Sequence, residues 1–413
     1  METRDNQLCF GPYSARELCS EYGTPVYVYE EEVIRRQYRQ LADNFTYPKF
    51  RVHYAVKANY NPSILKILLE EGCGVDTVSE FEVRLCLELG FAPENIIFTG
   101  DNTSDKEMRY CLEKNVLINV GSLSQLERLG KIQRGARVSV RINPDVGAGH
   151  HSHCVTGGPH TKFGIYYNLI DDIKRIVKAY DLKLVGVHSH IGTGIFDASK
   201  FKEAMDITLG VASQIQGLEF VDFGGGIGIP YRETQKAIDL VDFGKSVSAH
   251  FEKFCKSYGK TLELKIEPGR FLVCQSCTLL AEVTTLKSTP AHQFVGCDTG
   301  FNHLIRPMAY GSYHRIVNAS RVKGEQQAII LAGNICESGD MFTQNEHGPE
   351  DREVTRFQEG DIVAILDTGA YGLSMSMQYN MRPRLPEVLI TKDQSKRLIK
   401  VRESYEDIVR NFC

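Results

Sequence analysis

A chain of 413 residues, 42% of them hydrophobic, can bury a large core and predicts two domains or one large domain with an addition. A formal net charge of -4 gives neither a basic footprint for nucleic acid nor a polybasic anchor for a membrane, so the expected partner is a small molecule. The twelve cysteines form no disulfide framework, and the single Cys-x-x-Cys, Cys274 to Cys277, lies in an apolar run; they read as reduced thiols of a cytoplasmic protein. The N-terminal residues carry no apolar signal region, and no stretch approaches the ~20 apolar residues of a membrane span.

In chain order, residues 1–27 have a little strand character, and from about residue 50 short β-branched runs alternate with longer helical patterns. The strand runs cover 51–57, 73–78, 95–100, 117–121, 137–143, 184–190, 219–223 and 262–267. Between them leucine and isoleucine recur at helical spacing, as in 64–69, 80–89, 122–129 and 201–215. Eight such units predict an α/β fold, a (β/α)8 TIM-type barrel over residues 28–275. An open doubly wound sheet is less consistent, because Gly224-Gly225-Gly226-Ile227-Gly228 lacks the third glycine of the dinucleotide fingerprint. Gly244-Lys245-Ser246 resembles a phosphate loop only until Asp239 is found in place of its first glycine. After residue 275 the runs 277–286, 327–331, 361–366 and 388–391 predict a β-rich, sandwich-like or barrel-like domain, formed by 276–413 together with 1–27 and contributing substrate-binding and dimer-interface residues.

Barrel chemistry gathers at the C-terminal ends of the strands. There the sequence places Lys57 and Asn59, Asp76 and Ser79, His188, His190, Gly192 and Thr193, Gly224 to Gly226, then Glu267, Pro268, Gly269 and Arg270. A lysine among apolar residues loses charge preference by desolvation and is suited to a Schiff base with a carbonyl. Three glycines expose backbone N–H groups, and Arg270 adds a bidentate cation, so the pair suits a phosphate. A metal centre is the rival use, since His188 and His190 lie two apart and His150, His151, His153 and His160 crowd a loop. Barrel metallohydrolases carry such pairs on the first strand, not the sixth, and no metal is expected.

Lysine, phosphate cradle, stacking ring and carboxylate together describe a pyridoxal phosphate site. Tyr54-Ala-Val-Lys57-Ala-Asn59, His188-Ser-His190-Ile-Gly192, Gly224-Gly-Gly226 and Glu267-Pro-Gly-Arg270 resemble the signatures of the barrel-type pyridoxal phosphate decarboxylases. Arg306-Pro-Met-Ala-Tyr310-Gly, Cys336-Glu337-Ser338-Gly-Asp340 and Asp367-Thr-Gly-Ala-Tyr371-Gly resemble the branch that acts on diaminopimelate.

The resemblance implies that Lys57 holds the cofactor, that Glu267 pairs with its pyridine nitrogen and that His190 stacks on its ring. Thr193, Gly224, Gly225, Gly226, Gly269, Arg270 and Tyr371 would surround the phosphate, Arg270 and Tyr371 also reaching substrate, with Asp76 tuning Lys57. It further implies a homodimer in which Cys336 and Glu337 enter the partner's site, Cys336 as proton donor and Glu337 on the distal amino group, while Arg306 and Tyr310 bind the distal carboxylate. On residue chemistry alone Cys336 reads as an ordinary buried thiol; Glu337, a carboxylate expected in an apolar setting, argues for a functional segment. Thr193 replaces a frequent serine but keeps the hydroxyl, and Met377, Gln378 and Met381 depart from the family pattern, as does segment 147–160. The alternatives are a decarboxylase of ornithine, lysine or a D-amino acid, a racemase, against which Glu267 argues, and a non-catalytic cofactor-binding homologue.

Overall fold

The computed structural model describes residues 1–147 and 156–413. They form two compact units, one of Arg35–Ile229 with Lys236–Leu272, the other of Met1–Ile34 with Pro230–Gln235 and Val273–Cys413.

The first unit is the barrel. Its strands are β1 (Phe50–Ala55), β2 (Gly74–Thr77), β3 (Ile96–Phe98), β4 (Leu117–Val120), β5 (Arg137–Asn143), β6 (Lys183–Ser189), β7 (Phe220–Asp222) and β8 (Glu263–Ile266). Every neighbouring pair is parallel and β8 returns to β1, so the sheet closes. All eight expected runs are strands, with ends within two residues of those read from sequence. The turns into the helices use local caps: Ser79 accepts from Glu82 N ahead of Glu80–Leu89, Ser104 and Glu107 form a capping box, and Ser122 accepts from Gln125 N. A cap of this kind contributes about 1 kcal/mol. Ser79 therefore starts a helix.

Side chains on a strand alternate, so one parity of each faces the helices and the other the barrel axis. In β5 Val138, Val140 and Ile142 share one parity and Ser139, Arg141 and Asn143 the other. Asp76, Arg141, His188 and Asp222, near the C-terminal ends of their strands, are all buried. Buried polar groups need partners; here Asp76 has Lys57, His188 has Glu267 and Asp222 has the Gly224 N–H, while one polar atom on each of the four is left without a hydrogen bond among the described residues.

The second unit is a nine-stranded mixed sheet centred on the twelve-residue strand Cys277–Ser288. That strand pairs antiparallel with Val26–Glu30, Gln293–Cys297 and Ile362–Ile365. Val26–Glu30 in turn runs parallel to Glu387–Ile390. Leu8, Phe10, Leu18, Val28, Leu280 and Val388 pack in its core, so the N-terminal residues are part of this unit. Pro230–Gln235, an excursion from the barrel sequence, also belongs to it: Tyr231 Oη lies 3.2 Å from Cys274 Sγ, and the Arg232 guanidinium lies 4.2 Å from the Tyr313 ring centre. Among the described residues no helix is long and apolar enough to cross a membrane, and the described cysteines are free.

Candidate active site

In the barrel, β1 ends at Ala55 and the chain tightens into the turn Val56–Ala58, which carries Lys57. Ala55 pairs in register with Asp76, and Lys57 Nζ stands 3.7 Å from Asp76 Oδ2. The Lys57 side chain is 43% exposed while that of Asp76 is buried. This corrects the expectation of a desolvated lysine: a neighbouring carboxylate favours the ammonium form. Asp76 is thus the acid that stands beside Lys57.

Glu267 follows β8 and is buried, with Oε2 at 2.9 Å from His188 Nε2. Oε1 has no hydrogen-bond partner among the described residues. Burial, then the Asp76 charge, push Glu267 up to about 8, while Lys57 and Arg141 pull it back. Burial likewise holds Asp222 well above the carboxylate range and lowers His188 to about 4. Two buried acids and an imidazole, with one polar atom of each within 4.8 Å of the others, cannot all ionise together.

His190 takes a different direction from His188. Gly225 N–H donates to His190 Nδ1 at 3.1 Å, which assigns the ring hydrogen to Nε2, and burial holds the ring's pKa well below the usual imidazole range. The ring is therefore neutral and fixed. Gly224 N–H is committed to Asp222 Oδ1 at 2.8 Å, so of the three glycine amides only Gly226 is left for an anion among the described residues. That narrows the expected triple-glycine cradle. A Cβ at Gly225 would lie 2.2 Å from Glu267 O, and one at Gly226, where φ is 109°, 2.4 Å from Gly192 O. The glycines are needed for close backbone approach as much as for amides. Arg270 Nε donates to Thr193 Oγ1 at 3.3 Å, joining those two expected residues directly; Gly269 lies against Ala55 and Ala58.

In the other unit, Arg306 opens the short helix Arg306–Tyr310 and is 1% exposed. Its Nη1 lies 2.8 Å from His314 Nε2, its Nη2 donates to Ser312 Oγ at 3.2 Å, and its guanidinium stands 5.2 Å from the Tyr231 ring centre. No carboxylate lies within salt-bridge distance of it among the described residues. Tyr310 is half-buried at the end of the same helix, and Tyr371 sits in a left-handed conformation at φ 60° after Asp367, whose carboxyl burial raises to about 6.

The Cys336-Glu337-Ser338 segment is exposed, contrary to the apolar setting and buried thiol expected of it. It is anchored from both sides: Asp340 accepts from Phe301 N and Ile335 N at 2.7 Å each, and Asn380 Oδ1 accepts from Cys336 N at 2.8 Å. Gly339 lies against Met308, which brings this segment to the helix that carries Arg306.

Arg141, Asp222, His314 and Asn380 were not singled out from sequence. Arg141 had a readable signal, a charge on one parity of an apolar strand; its guanidinium lies 4.5 Å from the Phe163 ring centre. His150, His151 and His153 lie outside the described residues, and His160 is exposed.

A closed eight-stranded barrel whose mouth joins a lysine, a buried carboxylate with one unpartnered oxygen, a fixed imidazole and an arginine defines an enzyme of the pyridoxal-binding barrel class. The chain belongs to the pyridoxal-dependent decarboxylase family, whose pyridoxal binding domain matches residues 31–274. It is 42% identical over 98% of its length to the diaminopimelate decarboxylase of Methanothermobacter thermautotrophicus, covering 95% of that protein. It is 37% identical over 95% of its length to the Escherichia coli K12 diaminopimelate decarboxylase, covering 94%. A solved diaminopimelate decarboxylase from M. jannaschii, in complex with L-lysine, superposes with a TM-score of 0.90 at 33% identity, over 100% of this chain and 97% of that one.

The residues present fit the cofactor that the family implies. Glu267 Oε1 is buried and lacks a donor that a protonated pyridine nitrogen would supply, and the Gly225–Gly226 backbone admits no side chain.

Proposed function

We propose that the protein removes carbon dioxide from meso-diaminopimelate to give L-lysine, with pyridoxal 5'-phosphate as cofactor, in lysine biosynthesis. The observation that carries the substrate assignment is Arg306, a buried guanidinium paired with neutral groups and with no acid in salt-bridge reach among the described residues. A buried charge of this kind needs a counter-charge, and a substrate carboxylate supplies one. The identity of 42% to a diaminopimelate decarboxylase supports the same substrate.

When bound, pyridoxal phosphate supplies an electron sink for the pair left as carbon dioxide departs. Lys57 would hold the cofactor through its amine, with Asp76 beside it at 3.7 Å to set the lysine's charge. Glu267 would pair with the pyridine nitrogen while His188 bonds its other oxygen, and His190 would stack on the ring. Thr193, Gly226, Arg270 and Tyr371 would hold the phosphate, with Gly224, Gly225 and Gly269 letting the backbone approach. Arg270 and Tyr371 also contact substrate.

Arg306 and Tyr310 fix the distal carboxylate and Glu337 the distal amino group, which orients the scissile bond. Cys336 delivers its thiol proton to the carbon that lost carbon dioxide. The exposure of Cys336 and Glu337 is what a segment serving a second chain requires, and we assign the active form as a homodimer with shared sites. Among the described residues nine cysteines are buried and free, which supports a reducing, cytoplasmic setting.

Replacing Arg306 with leucine tests the carrying observation. Cofactor loading should stay intact while KM for diaminopimelate rises by roughly 10²-fold, the scale of losing a buried charge-assisted pair. An unchanged KM would remove Arg306 from the substrate site.

A further inference from the structure

Arg306 poses a problem of orientation. A guanidinium that must bind a carboxylate in two-point fashion has to be held in one plane, yet an acidic residue holding it would neutralise the charge it offers. The second unit resolves this with a ring. His314 Nδ1 lies 2.8 Å from Leu366 O, which can only accept, so Nδ1 carries the hydrogen. Its Nε2 therefore presents a lone pair, and Arg306 Nη1, which can only donate, bonds it at 2.8 Å. The two bonds fix the tautomer and the neutrality of the imidazole together.

The ring itself cannot swing. It is fully buried, Tyr231 packs edge-on at 5.6 Å between ring centres, and the backbone carbonyl of His314 accepts from Arg352 Nη1 at 2.8 Å, which fixes the chain that carries the ring. Ser312 Oγ takes Nη2 of the same guanidinium at 3.2 Å and is also uncharged. Asp367, the acid whose charge Arg306 and Arg315 both feel, lies outside salt-bridge reach of Arg306.

We propose that His314 is the positioning residue of the distal-carboxylate subsite, a neutral Nδ1–H imidazole that fixes the plane of Arg306 while leaving its charge for the substrate. This rests on the reading of Arg306 as the carboxylate-binding residue. It makes His314 a determinant of specificity: its removal penalises ligands with a carboxylate at the far end and spares those without one.

L-Lysine and 1,5-diaminopentane separate these cases, since the amine keeps the chain and both nitrogens but has no carboxylate. Their binding to the holoenzyme is measured by titration of the cofactor absorbance, alongside KM and kcat for diaminopimelate. His314→Asn keeps a donor for Leu366 but falls short of Arg306, whereas His314→Gln places an acceptor where Nε2 stood. The Asn variant should bind L-lysine roughly tenfold more weakly and raise KM by a similar factor, about what one charge-assisted hydrogen bond contributes, with kcat and diaminopentane binding near wild type. The Gln variant should recover most of that loss.

If the Asn protein does not fold, His314→Phe, which keeps the ring volume and loses the acceptor, takes its place with the same expectations. Equal weakening of both ligands, or Asn and Gln variants that behave alike, would overturn the assignment. Failure of the underlying reading has a different signature, in which Arg306→Leu itself leaves L-lysine binding unchanged.

Discussion

His188 Nε2 lies 2.9 Å from Glu267 Oε2, inside a barrel where the other oxygen of Glu267 has no hydrogen-bond partner among the described residues. One side of the carboxyl is thus fixed and the other left for a ring nitrogen. Glu267→Gln keeps the shape and the His188 contact but cannot take a negative charge. The variant should retain cofactor and lose roughly 10²-fold or more in kcat, as expected for a charge aimed at the reacting system in a buried site. Steady-state carbon dioxide release normalised to bound cofactor measures it, and a kcat within a few-fold of wild type would contradict the role.

The same carboxyl makes the cofactor-free protein sensitive to pH. Its pKa rises from 4.5 in the unfolded chain to about 8, so between those values the native state binds more protons than the unfolded one. Stability contributed by this group is therefore present below pH 4.5 and falls as pH rises toward 8. Melting curves of apoenzyme between pH 5 and pH 8 should show a steeper decline of Tm for wild type than for Glu267→Gln. Parallel slopes would show that Glu267 ionises in the folded barrel as it does in water.

Lys57→Ala should abolish the absorbance band of lysine-bound cofactor. Asp76→Asn removes the carboxylate 3.7 Å from Lys57 Nζ and should lower the pH at which that band titrates, because the lysine nitrogen loses the neighbouring charge that favours its protonated form. An unchanged titration in the Asn variant would show that the ion pair does not control Lys57.

Asp340 accepts two backbone N–H groups at 2.7 Å, from Phe301 and Ile335, and so supports the segment carrying Cys336 and Glu337. Asp340→Ala strands both donors in a buried setting and should cost roughly 2–4 kcal/mol of stability by urea unfolding. A loss below about 0.5 kcal/mol, the level of an ordinary surface change, would mean the loop is held by other contacts.

Inactive Lys57→Ala and Cys336→Ala proteins test the shared site. In a mixed dimer one of the two sites regains both residues, so activity should return on mixing. No recovery despite demonstrated subunit exchange would place Cys336 in its own chain's site.

The barrel was legible because β-branched runs repeat with helical spacing between them, and five of the eight strand ends carry residues, polar ones or glycines, that the sequence leads one to expect at the mouth. What escaped depended on contacts distant in sequence. Lys57 reads as desolvated until Asp76, nineteen positions on, is found beside it in the sheet. His314 acquires meaning only from Leu366, 52 residues away, and Arg306. The helix Arg306–Tyr310 is five residues long and offers no period to detect. Glu337 was expected in an apolar setting, yet only Ile335 is buried there and Cys336 and Glu337 are exposed.

The central claim is most directly tested by carbon dioxide release from the purified, cofactor-loaded protein given meso-diaminopimelate, with L-lysine, L-ornithine and L-arginine in parallel. Release from diaminopimelate alone, with L-lysine as the product, is the predicted result. Release only from one of the other amino acids would retain the cofactor site and contradict the assignment of Arg306, Tyr310 and Glu337 to the distal end of the substrate.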